Sequence, residues 1–281
     1  MSTIVCLHAH PDDEASSTGG TIARAAAEGH RVVLVFGTNG DHGEVPDDLE
    51  PGETLVDRRR KELQASADLL GVERVVWLGY SDSGMTGWEQ NADPGSFHLA
   101  DLDEAAGKLA AVLREESADI LTTYDWHGGY GHPDHVKVHH VGVRAGEMVP
   151  GVRVLESTTN RTRFVEMMAN AVENGLFVAG DGGYEIEMSD FDPEGPADDG
   201  NPFGTPESEI TLEVDVRDYV ELKRAALACH SSQVTDSSFF LQMPIEAFRQ
   251  AFGTEWFIEH DSTPPMRVGW LFDNAAGVPR A

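Results

Sequence analysis

Cysteine, lysine, positive charge and long apolar runs are what this chain of 281 residues has least of. Its two cysteines, Cys6 and Cys229, cannot build a disulfide framework. Cys6 lies inside an apolar run, where a buried reduced thiol is the ordinary state. No basic segment followed by an apolar one precedes that run, so no secretory signal is expected and a cytoplasmic location is. No apolar stretch approaches the ~20 residues a bilayer-spanning helix needs, which argues against membrane insertion. Lys and Arg number 20 against 49 Asp and Glu, a formal charge of -29. The lysines are only Lys61, Lys108, Lys137 and Lys223. Such a surface repels phosphate backbones, so nucleic acid is not an expected partner. The Arg-over-Lys, Ala/Gly/Asp-rich composition fits a GC-rich genome or salt adaptation equally well. There is no internal repeat. The length suits one large α/β domain, or such a domain with a C-terminal extension.

What is present is concentrated at two places. The first is Ile4-Val5-Cys6-Leu7-His8-Ala9-His10-Pro11-Asp12-Asp13-Glu14. Its apolar run reads as a buried parallel strand that Pro11 terminates. Gly19-Gly20 and the Ala-rich run from Thr21 to Glu28 read as the following helix. Further strands are expected at Arg31–Phe36, Val72–Leu78, Asp119–Tyr124 and Val152–Glu156. Helices are expected at Thr54–Leu70, Ala105–Leu113, from Asp134 to about Met148, and at Arg161–Asn174. Strands alternating with helices predict a Rossmann-like α/β fold, a mainly parallel sheet with helices on both faces. The catalytic core is expected over residues 1–175, with a smaller C-terminal extension over 176–281 packed on it. That extension holds an acidic Gly/Pro-punctuated loop, Ser189–Ser208, between short strands at Glu185–Met188 and Ile210–Val216, then a helix at Tyr219–His230. Gln242–Ala281 is aromatic but has no clear period. Two loops border the strand ends: the acidic Asp41–Pro51, and Gly79–Phe97, long enough to be a lid.

The second place is the end of the fourth strand, which runs through His127-Gly128-Gly129-Tyr130-Gly131 into His132-Pro133-Asp134-His135. Open α/β sheets bind ligands beyond the carboxyl ends of their strands, where these residues fall. Taken alone, Asp-Asp-Glu could merely cap a helix. With His10 beside it and a second His cluster downstream, a site is the better reading. Catalytic zinc takes three ligands from His and carboxylates and keeps one position open. His10 and Asp13 can face one crevice and His135 can close the set, leaving Asp12 to take a proton from an activated water. His132 then remains as an acid or polarising donor. A pair His135/His139 on one helix face stays open as an alternative. Ferrous iron accepts the same two His and one carboxylate. Arg58-Arg59-Arg60-Lys61 is either a solvated helix face or a source of one substrate-facing arginine.

The two His/Asp motifs together are similar to those of the PIG-L (LmbE-like) family of zinc-dependent N-deacetylases. The resemblance is strongest to its mycothiol branch, which holds an N-acetylglucosaminyl-inositol deacetylase and an S-conjugate amidase. It runs from the N-terminus to about Ala145 and resumes at Lys223–Gln233. Asp82-Ser83-Gly84-Met85 resembles that branch in particular. The resemblance implies zinc ligation by His10, Asp13 and His135, Asp12 as general base, and His132 as acid or electrostatic partner oriented by Asp134. It also implies Tyr130 polarising the amide carbonyl, and Arg59 and Asp82 gripping sugar hydroxyls. Ser17 stands on the substrate side, where the amidase branch has Lys. The implied activity is removal of the acetyl group from an N-acetylglucosamine-containing conjugate, a small-molecule amino sugar. A mycothiol S-conjugate-type amidase and a deacetylase of a natural-product glycoside are the alternatives, and a homo-oligomer stays open. A two-metal phosphoesterase would need more ligands than these, and a non-catalytic sugar-binding protein would not need both Asp12 and His132. The chain departs from the family pattern twice: His127 replaces an Asn, and Ser189–Ser208 has no alignable counterpart.

Overall fold

The N-terminal apolar run becomes β1 (Thr3–His8), buried almost throughout. A computed structural model describes it together with the rest of residues 1–173, 192–235, 238–260 and 262–273. In chain order follow α1 (Asp13–Ala27), β2 (Arg31–Thr38), α2 (Leu55–Leu70), β3 (Arg74–Tyr80), α3 (Leu102–Glu115), β4 (Ile120–Tyr124) and α4 (Pro133–Met148). Then come β5 (Arg153–Thr158), α5 (Arg161–Glu173), β6 (Leu212–Asp215), α6 (Val220–Cys229), α7 (Phe239–Gln242), α8 (Ile245–Phe252), β7 (Thr254–Glu259) and β8 (Arg267–Val268). The strands form one sheet in the order β3-β2-β1-β4-β5-β7-β6-β8. β1 to β5 are mutually parallel, and β7 is antiparallel to both β5 and β6.

Alternation along the parallel strands builds two cores. Ile4, Cys6, Leu34 and Phe36 face Ile22 of α1 and Leu63 of α2. Val5, Leu7, Val33 and Val35 face Leu109 and Leu113 of α3 and Val138 and Val141 of α4. Helices therefore cover both faces, and the fold is Rossmann-like. β1 is flanked by β2 on one side and β4 on the other. The crevice between β1 and β4 is thus the topological switch point, the usual ligand position of an open α/β sheet.

The structure moves several boundaries. α1 starts at Asp13, ahead of Gly19, where the helix was expected to begin. Gly19 and Gly20 belong to the helix because neighbouring groups press on its backbone. A Cβ on Gly20 would lie 2.5 Å from Val216 Cγ2. There the buried Glu255 of β7 accepts from the N–H of Gly20 and of Thr21, and Lys223 Nζ donates to the same carboxylate at 2.6 Å. Val72 is not in β3, because its N–H closes the end of α2 on Ala67 O.

The segment 79–97 is pinned rather than lid-like. Its two ends are tied to each other, Ser81 N donating to Gly95 O and Phe97 N to Ser81 O, and Phe97, Asp82 and Ser83 are buried. The chain beyond residue 175 does not merely pack on the core: β6, β7 and β8 extend the same sheet, and α6 packs against α1 and α2. The strand expected at Glu185–Met188 lies outside the described residues. No helix among the described residues is long and apolar enough to cross a membrane.

Candidate active site

β1 ends at a tight turn. Asp12 takes φ +112°, a conformation that costs a non-glycine residue free energy unless its surroundings hold it. Three hydrogen bonds from two neighbours do. Glu14 Oε2 accepts from Asp12 N at 3.0 Å, Arg59 Nη2 donates to Pro11 O, and the same nitrogen reaches Asp12 Oδ2 at 3.0 Å. Glu14 is in turn gripped by His230 Nε2 at 2.6 Å and by Ser66 Oγ at 2.5 Å. Glu14, Ser66 and His230 are all fully buried. Arg59 is also buried, with Nη1 on Gly40 O at 2.8 Å. Within the basic cluster it alone turns to the site. Arg58 and Lys61 pair with Glu53, and Arg60 binds Asn39.

The wiring of three imidazoles then separates their roles. His10 Nε2 faces Asp134 Oδ2 at 3.2 Å and Asp82 Oδ1 at 3.5 Å, which leaves Nδ1 toward Asp13 Oδ2 at 3.6 Å. His135 Nδ1 donates to Gly128 O at 3.2 Å, and its Nε2 lies 3.5 Å from Asp13 Oδ1. That nitrogen is buried and has no hydrogen-bond partner. Such outer hydrogen bonds fix a tautomer and free the inner lone pair for a metal. His132 is wired the opposite way. Its Nδ1 accepts from Asp134 N at 3.1 Å, so in the neutral ring this network puts the proton on Nε2.

The nitrogens of His10, His132 and His135 lie within 4.8 Å of one another, as do donor atoms of His10, Asp82 and Asp134. By its tautomer His132 presents a donor to the crevice, whereas His10, His135 and Asp13 present lone pairs. The donor set of two imidazoles and a carboxylate fits a zinc-type ion, and the orphaned His135 nitrogen fits a ligand atom.

The charges follow from burial and neighbours. Burial would raise the Asp13 carboxyl, but His135 and His10 hold it down to about 2. Burial pushes Asp12 up to about 6 against the pull of Arg59. Burial, with His10 and His135 beside it, takes His132 down to about 3. Burial raises the Tyr130 hydroxyl well above its ordinary range, and the Tyr130 ring lies 4.9 Å from that of His135. Asp134 is anchored by Ser83, whose N donates at 2.8 Å and whose Oγ donates to the other oxygen. Asp82 accepts from Gly84 N and from His42 N, which brings the 41–51 loop to the rim.

Ser17 is half-buried in the second turn of α1 and contributes no hydrogen bond to this cluster among the described residues. His139 turns away from His135. Its Nδ1 meets Tyr124 O at 3.1 Å, near Glu156, so the two do not converge on one ion. His8 is a buried core histidine bonded to Tyr124 Oη at 3.0 Å.

A family model, PIG-L, described as GlcNAc-PI de-N-acetylase, matches residues 5–146, about half the chain. The chain belongs to the PIG-L family. One PIG-L relative, from Acidothermus cellulolyticus, is 36% identical over 99% of this chain and 96% of its own length. Another, from Streptomyces avermitilis, is 38% identical over 90% of each. Both are named 1D-myo-inositol 2-acetamido-2-deoxy-alpha-D-glucopyranoside deacetylase. Among solved structures, the N,N'-diacetylchitobiose deacetylase of Pyrococcus horikoshii superposes with a TM-score of 0.57 at 22% identity, covering 92% of this chain and 83% of that one. A deacetylase of teicoplanin biosynthesis superposes at 0.56 with 18% identity, over 93% of this chain and 100% of that one. At these identities the two structures speak for the fold. Within this PIG-L chain, the residues that motif reading missed are Glu14 as the brace of Asp12, its partners Ser66 and His230, and Ser83. His230 had a signal, since it sits in the Lys223–Gln233 stretch that resembles the family.

Proposed function

We propose that this chain is a metal-dependent N-deacetylase that hydrolyses the acetamide of an N-acetylglucosamine-containing conjugate, releasing acetate and a free amino sugar. The observation that carries this reading is the opposed wiring of the imidazoles. His10 and His135 turn lone pairs toward Asp13, while His132 turns an N–H into the same crevice. The names of relatives that match nearly the whole chain support an inositol-linked N-acetylglucosamine as the substrate. They favour acetyl removal over cleavage of a larger acyl group.

A zinc or ferrous ion held by His10 Nδ1, Asp13 and His135 Nε2 would polarise the acetyl carbonyl and lower the pKa of water at the site. Asp12 stands outside that set with its carboxylate braced by Arg59. At about 6 it is ionised at neutral pH yet basic enough to take the proton of the attacking water. His132 is neutral at that pH, so its Nε2–H donates to the oxyanion of the tetrahedral intermediate, and the protonated Tyr130 hydroxyl does the same. Asp12 then passes its proton to the departing amine nitrogen. Asp134 holds two rings at once, His132 through its backbone N–H and His10 through its carboxylate. Asp82 is the substrate-side acceptor for a sugar hydroxyl. Arg59 acts first on Asp12, since its terminal nitrogens already bind protein acceptors.

Incubating the metal-loaded protein with N-acetylglucosaminyl-inositol and following products by mass spectrometry tests the reading. Loss of one acetyl group is expected. Recovery of unchanged substrate alongside cleavage of a larger-acyl conjugate would favour the amidase instead.

A further inference from the structure

The turn that follows α6, residues 230–233, is anchored on two other helices. His230 Nε2 meets Glu14 of α1. Ser232 binds the buried Glu62 of α2 twice, N to Oε1 at 2.8 Å and Oγ to Oε2 at 2.6 Å. From this fixed support the Gln233 side chain grips the backbone of Glu44 with both ends of its carboxamide. Glu44 N donates to Gln233 Oε1 at 3.1 Å, and Gln233 Nε2 donates to Glu44 O at 2.9 Å. A carboxamide offers an acceptor and a donor side by side, which neither a carboxylate nor a thioether does.

The gripped segment leads to the substrate side of the crevice. Residues 40–43 follow β2 as a tight turn, closed by Gly43 N on Gly40 O at 3.2 Å. A side chain on Gly43 would collide with Gln233 Oε1 and Arg59 Nη1, so the turn lies directly on those two groups. Arg59 Nη1 also donates to Gly40 O. On its far side the turn meets Asp82: Asp82 N donates to Asp41 Oδ1 at 3.1 Å, and His42 N donates to Asp82 Oδ2 at 3.3 Å. Hydrogen bonds of that length at part-exposed groups are individually weak. The aim of the Asp82 carboxylate therefore depends on the other end of the turn being held, and Gln233 holds it.

We propose that Gln233 is a positioning residue for sugar recognition: by clamping the backbone of Glu44 it keeps the 40–44 segment against Asp82 and aims the carboxylate that accepts a sugar hydroxyl. This rests on the deacetylase reading.

The test is a double-mutant cycle on metal-loaded protein with N-acetylglucosaminyl-inositol. Metal content, kcat and KM for acetate release are measured for wild type, Gln233→Met, Asp82→Ala and the double variant. Met fills the space of Gln but cannot donate to Glu44 O. Gln233→Met should keep its metal and raise KM about three- to tenfold with kcat within about twofold of wild type, as loss of binding shared by ground and transition states gives. In the Asp82→Ala background the same change should leave KM unaltered, because the group to be aimed is gone. An unchanged KM in Gln233→Met, or the same rise in both backgrounds, would overturn the proposal. If wild type releases no acetate, the deacetylase reading has failed, and calorimetric affinity for the same compound replaces KM. A weakening in Gln233→Met that vanishes in the Asp82→Ala background then supports the clamp, and equal affinities, or none, overturn it. Should Gln233→Met not fold, Gln233→Glu, which keeps the shape and loses the donor, is read in the same way.

Discussion

Replacing Glu14 by Gln should loosen the fold and the catalytic turn together. The Glu14 carboxylate is fully buried and satisfies three donors: Asp12 N at one oxygen, His230 Nε2 and Ser66 Oγ at the other. A Gln side chain has one acceptor oxygen, so at least one donor is left facing an NH2 group. If His230 keeps its proton, an unpaired buried cation costs about 3–5 kcal/mol. If it gives the proton up, the lost charge-assisted hydrogen bonds still cost about 1.5–3 kcal/mol. The penalty depends on pH in a defined way. Against burial, Glu14 raises the pKa of His230 above 6.5, so the contribution of His230 is whole below that value and lost as pH rises through its folded pKa. Against burial, His230 lowers the pKa of Glu14 below 4.5, so the contribution of Glu14 is whole above that value and lost as pH falls through its folded pKa. The wild-type advantage in urea unfolding should therefore be largest between these limits and shrink on both sides. Because Glu14 also holds Asp12 at its positive φ, kcat should fall more than KM changes. Equal unfolding midpoints for the two proteins from acid to neutral pH would refute this reasoning.

Three further outcomes follow from the geometry. His135→Ala should lose stoichiometric metal, as read by elemental analysis, whereas His139→Ala should retain it; the reverse would transfer the ligand role to His139. Asp12→Asn should keep its metal while acetate release falls by about 100-fold or more, as loss of a general base gives; a variant without metal would make Asp12 a ligand. Gly20→Ala should lower the thermal midpoint: overpacking against Val216 costs about 1–3 kcal/mol, more than the ~0.5–1 kcal/mol an alanine gains inside a helix. A variant as stable as wild type would mean that α1 and Val216 stand further apart.

The parallel half of the sheet was legible because its strands are apolar on both faces and end at breakers. Pro11 ends the run of β1, and Pro133 opens α4 directly after the cap His132. Nine of the ten residues assigned to the site, all but Ser17, gather around the β1–β4 crevice, since both motifs lie at the carboxyl ends of adjacent strands. β7 was not legible because its buried face carries charge. Glu255 and Glu259 alternate with Phe257, and their partners make that burial tolerable: Lys223 and the N–H groups of Gly20 and Thr21 for Glu255, Arg153 and Arg267 for Glu259. The brace of Asp12 was hidden for a different reason: Glu14 and His230 are 216 residues apart, and no local period connects them. The docking of residues 192–205 was equally invisible, because it rests largely on backbone hydrogen bonds to Tyr130 and Gly129, which leave no residue pattern in the sequence.

The central claim, that these residues form a metal-dependent N-deacetylase, is tested most directly by counting acetate. Purified protein is given N-acetylglucosaminyl-inositol before chelation, after chelation, and after zinc or ferrous ion is restored, and acetate and free amine are quantified together. The account predicts equal amounts of the two products, loss of both on chelation and their return with the ion. Acetate release that persists in fully chelated protein, or no acetate from protein carrying one metal per chain, would contradict it.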